Sequence, residues 1–284
     1  MPETQTLTRN ISWTLRARSL EHPHTLAVLA PAGRDRWGRW RHTHWTYRQL
    51  DVESDWIAEG LRLAGLTPGV RVAFMVPPSH EFFSVTFALF KLGATPVFID
   101  PGMGPRHLGR CLDEAQPEVF IGNTKAHAAR LLLGWARRTL RIRIAVGART
   151  PIPRTIDLGR IRLQGEIASI TRPSRFPFPI HEPESSEIAA ILFTSGSTGV
   201  PKGAVYTHKI FQSQVAMLRA QYGIQPGEVD LCTFPLFALF APGLGMTSVI
   251  PAMNPTRPAW VDSATIKSAI EDFGVTNLFG SPAL

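Results

Sequence analysis

The chain has 284 residues, enough to bury a substantial core as one large domain or two. Hydrophobic residues make up 44% and charged residues 18%, which excludes a disordered or low-complexity chain. Thirty Lys and Arg against 22 Asp and Glu leave a net charge of +8, so the partners to weigh are nucleic acid, an anionic membrane surface and a polyanionic small molecule.

In chain order, the amino-terminal MPETQTLTRN shows no apolar core of the kind a secretory signal needs. The basic run Arg34–Arg41 (RDRWGRWR) interleaves two tryptophans with arginines, as a single-strand nucleic-acid binder does. No nucleic-acid module signature accompanies it, so the favoured reading is a solvated hairpin whose Trp37 and Trp40 pack on a neighbour. No nucleic-acid partner is expected.

From Thr46 to Gly65 a Thr-x-x-Gln capping box opens a helix that presents Leu50, Ile57 and Leu61 on one face and closes on glycine. A strand over 70–76, a helix over 80–92 and a strand over 95–99 follow, the last turning at Asp100-Pro101-Gly102. Helices over 105–115 and 125–136 then alternate with strands over 118–121 and 142–146. The basic run Arg137–Arg143 lies between the last two. This alternation predicts βα units and a mostly parallel sheet.

The proline-rich stretch 151–187 reads as a linker or a long surface excursion. Order resumes with a strand from Ile188, a helix over 210–222 and a strand over 229–234. A helix over 262–273 follows, with Asp262 as N-cap and Gly274 after its end, and then a strand from Thr276. The uncharged stretch Leu231–Thr256 is long enough to span a bilayer, but four prolines and two glycines break any spanning helix, and no transmembrane segment is expected. Cys111 and Cys232 are far apart and form no C-x-x-C pair, which points to a reducing, cytoplasmic setting and to no structural metal site.

One segment carries chemistry. Ile191–Thr194 is a buried strand, Ser195-Gly196-Ser197-Thr198-Gly199 is a run of hydroxyls and glycines, and Lys202 precedes a second strand, Ala204–Thr207. Free N–H groups and short donors make such a loop an anion nest, with phosphate the best fit. It is no Walker A loop, because no helix follows the lysine. For Ser195–Gly199 alone, a surface hairpin is the blander reading.

The stretch Phe193–Gly203 (FTSGSTGVPKG) resembles the phosphate-binding signature of the adenylate-forming superfamily, which includes acyl-CoA synthetases, luciferases and peptide-synthetase adenylation domains. Trp45–Leu50, Lys91–Pro101 and Phe234–Phe237 resemble further motifs of that superfamily, in the same order. The resemblance implies an α/β fold of the acyl-CoA synthetase type, with two helix-flanked, mostly parallel sheets packed side by side. One would come from about 70–207 and the other from 10–69 with 210–284.

It also implies ATP and Mg2+, with Thr194, Ser195, Gly196, Ser197, Thr198 and Gly199 cradling phosphate and Lys202 on the β- and γ-phosphates. Phe234, Phe237, Ala238, Gly243 and Gly245 would line the acyl pocket. Ala238 stands where relatives often carry histidine, which leaves an apolar wall suited to an alkyl chain. His208 is read as structural rather than catalytic.

Within the superfamily, Phe98–Gly104 and Phe234–Met246 resemble the olefin-biosynthesis branch, whose members adenylate a β-hydroxy fatty acid and close it to a β-lactone without CoA. A fatty acyl-CoA ligase using CoA is the alternative, and a nucleotide- or nucleic-acid-binding module is the reading from another class. The expected partner is a small-molecule fatty acid, with room for a complex with other enzymes of the pathway. The superfamily's later motifs would lie beyond Leu284, so this reading makes the chain the amino-terminal part of a longer enzyme, ending before the C-terminal lid domain and inactive alone.

Overall fold

The computed structural model describes residues 9–147, 151–194, 201–280, 282 and 284. In chain order, α1 (Trp13–Glu21) leads into β1 (Leu26–Arg34), β2 (Trp40–Thr46), α2 (Tyr47–Leu63), β3 (Arg71–Met75), α3 (His80–Leu92) and β4 (Thr95–Ile99). Then come α4 (Pro105–Ala115), β5 (Val119–Gly122), α5 (Thr124–Leu133), β6 (Ile142–Ala145), β7 (Ile156–Asp157), α6 (Leu158–Thr171), β8 (Ile188–Thr194) and β9 (Lys202–Thr207). The rest is α7 (His208–Tyr222), β10 (Val229–Cys232), α8 (Pro235–Ala238), α9 (Ala241–Leu244), β11 (Thr247–Val249), α10 (Ser263–Phe273) and β12 (Asn277–Phe279).

The chain divides into two compact units. The first comprises Met1–Trp13, Asp55–Met75 and Thr86–Gln214, and the second Thr14–Ser54, Val76–Val85 and Val215–Leu284.

The first unit carries a seven-stranded sheet in the order β7-β6-β5-β3-β4-β8-β9, parallel except for the β8–β9 edge pair. Every residue of β4 and β5 is buried, as expected of parallel strands covered on both faces. Leu108, Cys111 and Leu112 of α4 pack with Phe120, Val97 and Phe193 in one core cluster.

Contrary to the linker reading of 151–187, the segment holds α6, capped by Asp157, which accepts from the Gly159 N–H at 2.8 Å. Its close approach to α2 depends on glycine. A Cβ at Gly165 would sit 1.8 Å from the Trp56 carbonyl oxygen, and one at Gly60 would sit 2.0 Å from that of Ile161. Farther along the same segment, the Phe178 N–H donates to Asp55 at 3.2 Å. Asp55 also pairs with Lys91 at 2.6 Å, and both side chains are almost fully buried.

The second unit carries a five-stranded sheet, β12-β10-β11-β1-β2, with β1–β2 antiparallel and the other pairs parallel. The amino-terminal region thus supplies two strands to this sheet, joined by a hairpin within the basic run 34–41. Leu29, Leu231, Val249 and Ala269 form its core cluster. The capping box of α2 forms as read: Gln49 Oε1 accepts from the Thr46 N–H at 2.8 Å, and Thr46 Oγ1 from the Gln49 N–H at 3.3 Å.

At the tip of the β1–β2 hairpin Trp37 packs on no neighbouring element. It is exposed, with the Arg36 guanidinium 3.8 Å from its ring centroid and that of Arg39 at 5.4 Å.

Candidate active site

The signature hairpin belongs to the first unit, and its position follows from the pairing of β8. On one side β8 runs parallel to β4, with Val97 opposite Ile191 and Ile99 opposite Phe193. On the other it runs antiparallel to β9, with Phe193 opposite Gly203 and Thr194 opposite Lys202. The loop therefore leaves from the carboxyl end of a strand in a mostly parallel sheet, where α/β sheets place ligands.

Ile191 and Phe193 are buried and anchor the hairpin to the core. A Cβ at Gly203 would sit 3.1 Å from the Phe193 ring, so glycine lets the ring lie across the facing strand. Lys202 begins β9 with its side chain exposed, and Pro201 before it is buried. Ser195, Gly196, Ser197, Thr198 and Gly199 lie outside the described residues.

One residue beyond the β4–β8 pairing stands Asp100, the neighbour of Thr194 across the strand ends. Its Oδ1 accepts from the Gly102 N–H at 2.8 Å and closes the turn. Sequence reading placed Asp100 in a turn and within two of the resemblance stretches, Lys91–Pro101 and Phe98–Gly104, and gave it no site role of its own. His208, at the start of α7, is buried, and its Nδ1 accepts from the Ile11 N–H at 3.1 Å. Burial, aided by nearby His181, pushes its pKa down to about 4. A neutral, hydrogen-bonded imidazole of this kind has a structural job.

The apolar wall belongs to the second unit. Phe234 and Phe237 lie 5.5 Å apart by ring centroids, and Phe237 stacks on Phe279 at 3.9 Å. All three rings are partly exposed. Phe279, at the end of β12, was not anticipated; the final Leu278-Phe279-Gly280 after a short strand was its only trace. Ala238, the last residue of α8, is buried.

Gly243 and Gly245 stand apart from the rings. A Cβ at Gly243 would meet the Val215 methyl at 3.0 Å, while Gly245 closes α9 at φ 83°. A separate cavity of about 530 Å³ lies in the same unit, lined by Pro31, Trp40, Pro77, Pro78, Cys232 and the segment from Ile250 to Pro255. Among the described residues that line it, none carries a charged side chain. Beside it, burial pushes the Asp230 carboxyl up to about 6, against the lowering effect of a Cys232 thiol hydrogen bond.

Among the described residues no group of three or more His, Cys, Asp or Glu could hold a metal ion. No described helix is long and apolar enough to cross a membrane.

The family model of the AMP-binding enzymes matches residues 16–284. The chain belongs to the AMP-binding enzyme family. It is 48% identical over 276 residues to the olefin beta-lactone synthetase of Xanthomonas campestris pv. campestris, a match covering 97% of this chain and 48% of that protein. The identity is again 48%, over 278 residues, to the olefin beta-lactone synthetase of Stenotrophomonas maltophilia, with the same two coverages. The chain thus spans about half the length of the curated relatives it matches.

Among solved structures it resembles the anthranilate CoA ligase AuaEII in complex with anthranoyl-AMP. The TM-score is 0.79 at 19% identity, over 97% of this chain and 50% of the other. The fold is therefore the acyl-CoA synthetase-like fold of adenylate-forming enzymes.

Proposed function

We propose that this AMP-binding enzyme adenylates a fatty carboxylic acid with ATP, and that the acid is a β-hydroxy fatty acid which then closes to a β-lactone. The observation that carries this reading is 48% identity to olefin beta-lactone synthetases along 97% of the chain. In the first step a carboxylate oxygen attacks the α-phosphorus, the bond to the bridging oxygen breaks, and pyrophosphate leaves. In the second the substrate's own hydroxyl oxygen attacks the acyl carbon, AMP departs with the bonding electrons, and the hydroxyl proton is released.

Thr194, Ser195, Gly196, Ser197, Thr198 and Gly199 hold the phosphates in this reading. The Lys202 ammonium stabilises charge that develops on them. The hydroxyl, amide and ammonium donors of this hairpin suit a polyphosphate. Mg2+ would neutralise phosphate charge. The described residues offer the ion no carboxylate cluster, so they account for its binding only through the nucleotide.

Phe234, Phe237 and Ala238 form the wall for the alkyl chain, with Phe279 added, and Gly243 and Gly245 shape the turn behind it. Two free, buried cysteines fit a reducing cytoplasmic setting. The test gives the full-length enzyme ATP and a β-hydroxy fatty acid, with and without CoA, and reads products by mass spectrometry. Lactone and AMP without CoA are expected. A thioester that appears only with CoA would contradict the β-lactone reading while leaving adenylation standing.

A further inference from the structure

The last turn of α5 inverts the usual burial pattern. Its inward face ends on His127 and Arg130, both buried, while Leu131, Leu132 and Leu133 are 61%, 84% and 52% exposed. Gly134 then caps the helix at φ 69°, and Trp135 and Ala136 drop back into the core cluster. The anchor is tight, because a Cβ at Gly109 of α4 would already stand 3.2 Å from the Trp135 ring. Immediately afterwards Arg137, Arg138 and Arg141 are exposed. Among the described residues only Arg141 of these three has an acidic partner, Glu118 at 3.3 Å on the surface. From Leu131 to Arg143 the chain contains four arginines and no Asp or Glu.

Three contiguous exposed leucines beside unpaired arginines mark an interaction surface. Its chemistry selects the occupant. A nucleic acid would need exposed rings for stacking, and the one aromatic side chain of this segment, Trp135, is buried. An anionic bilayer surface satisfies both components, with leucines entering the acyl boundary and arginines meeting lipid phosphates. We propose that the α5 terminus and the turn after it, Leu131–Leu133 with Arg137 and Arg138, form a peripheral docking surface for anionic phospholipid membranes.

Vesicle sedimentation of the full-length enzyme tests this. The wild type should pellet with phosphatidylcholine vesicles containing phosphatidylglycerol and stay in solution with phosphatidylcholine alone. Arg137→Ala with Arg138→Ala should lower partitioning about thirtyfold, at the strength of two surface arginines. Leu132→Ser should lower it about tenfold. Both variants change exposed side chains outside the proposed active site and should keep wild-type adenylation of a short, water-soluble acid. Wild type left in the supernatant with anionic vesicles overturns the proposal, as do variants that pellet like wild type. A change in oligomeric state on Leu132→Ser, without vesicle binding by the wild type, would assign the patch to a protein contact instead.

Discussion

The central strands of the first unit and the edge strand β2 of the second are buried in different ways. In the first, β4 and β5 are buried along their whole length, and the sheet interior is backed by the Lys91–Asp55 ion pair. In the second, β2 alternates between exposed and half-buried residues, and the Phe234, Phe237 and Phe279 rings remain partly exposed. The signature hairpin is tied to the buried strands of the first unit, since β8 pairs with β4 and Phe193 lies in the core cluster. Stabilising charge on a transferring phosphoryl group requires donors fixed to within fractions of an ångström. An alkyl chain needs only apolar area, which half-exposed rings can supply.

The sharpest way to break this contrast is Lys91→Ala. It leaves Asp55 buried with the Phe178 N–H as the partner described above, and loss of one member of a buried pair costs about 3–5 kcal/mol. Urea unfolding should show that loss, while Lys202 at the start of β9 keeps its surroundings. A midpoint unchanged from wild type would mean the pair contributes nothing to the first unit.

A somewhat smaller effect separates the units by pH. His208, in the first, has its pKa lowered from 6.5 to about 4, so the folded state resists a proton that the unfolded chain accepts. Its stabilisation is complete above pH 6.5 and is lost as pH falls towards 4, by about 3 kcal/mol. Asp230, in the second, is raised from 3.8 to about 6. Its sign is opposite. The folded state holds a proton the unfolded chain has released, so stability is greatest below pH 3.8 and falls by about 3 kcal/mol as pH rises through 6. Asp230→Asn should therefore be more stable than wild type at pH 7.5 and equal to it near pH 3.8. His208→Asn, which can still accept from Ile11, should flatten the acid limb. Parallel pH profiles for wild type and both variants would contradict the opposition.

The contrast between units also governs what the sequence reveals. Strands covered on both faces read as unbroken apolar runs, so β3, β4, β5 and β8 and the helices between them stand out from composition and turn residues alone. The two strands at the amino terminus do not, because β2 carries Arg41, His42 and His44 in place of an apolar run and its regularity comes from pairing with β1. Helix α6 was hidden for another reason. Leu158, Ile161 and Ala168 point inward while Leu163, Ile167 and Ile170 are exposed, so no single apolar stripe marks it, and Gly159 and Gly165 lower its helix propensity. Gly165 has a use that only three dimensions disclose, the close crossing with α2. The stretch Phe193–Gly203 was legible as a motif of the family that the chain belongs to. The stacking of Phe237 on Phe279 was not, since those rings lie forty-two residues apart in the chain.

The phosphate role of Lys202 is the centre of the functional account, and pyrophosphate release by the full-length enzyme at saturating ATP tests it most directly. Lys202 is the only charged residue between Glu187 and His208, and the described residues that follow it form β9, not a helix. A charge-assisted hydrogen bond is worth about 1.5–3 kcal/mol, so Lys202→Ala should slow adenylation about ten- to a hundredfold. Its exposed position means the unfolding midpoint should stay at the wild-type value. Lys202→Arg should recover little, because a planar guanidinium fork does not reproduce a compact ammonium on a flexible stem. An alanine variant that releases pyrophosphate at the wild-type rate would contradict the account and leave Lys202 as a solvated residue of an edge strand.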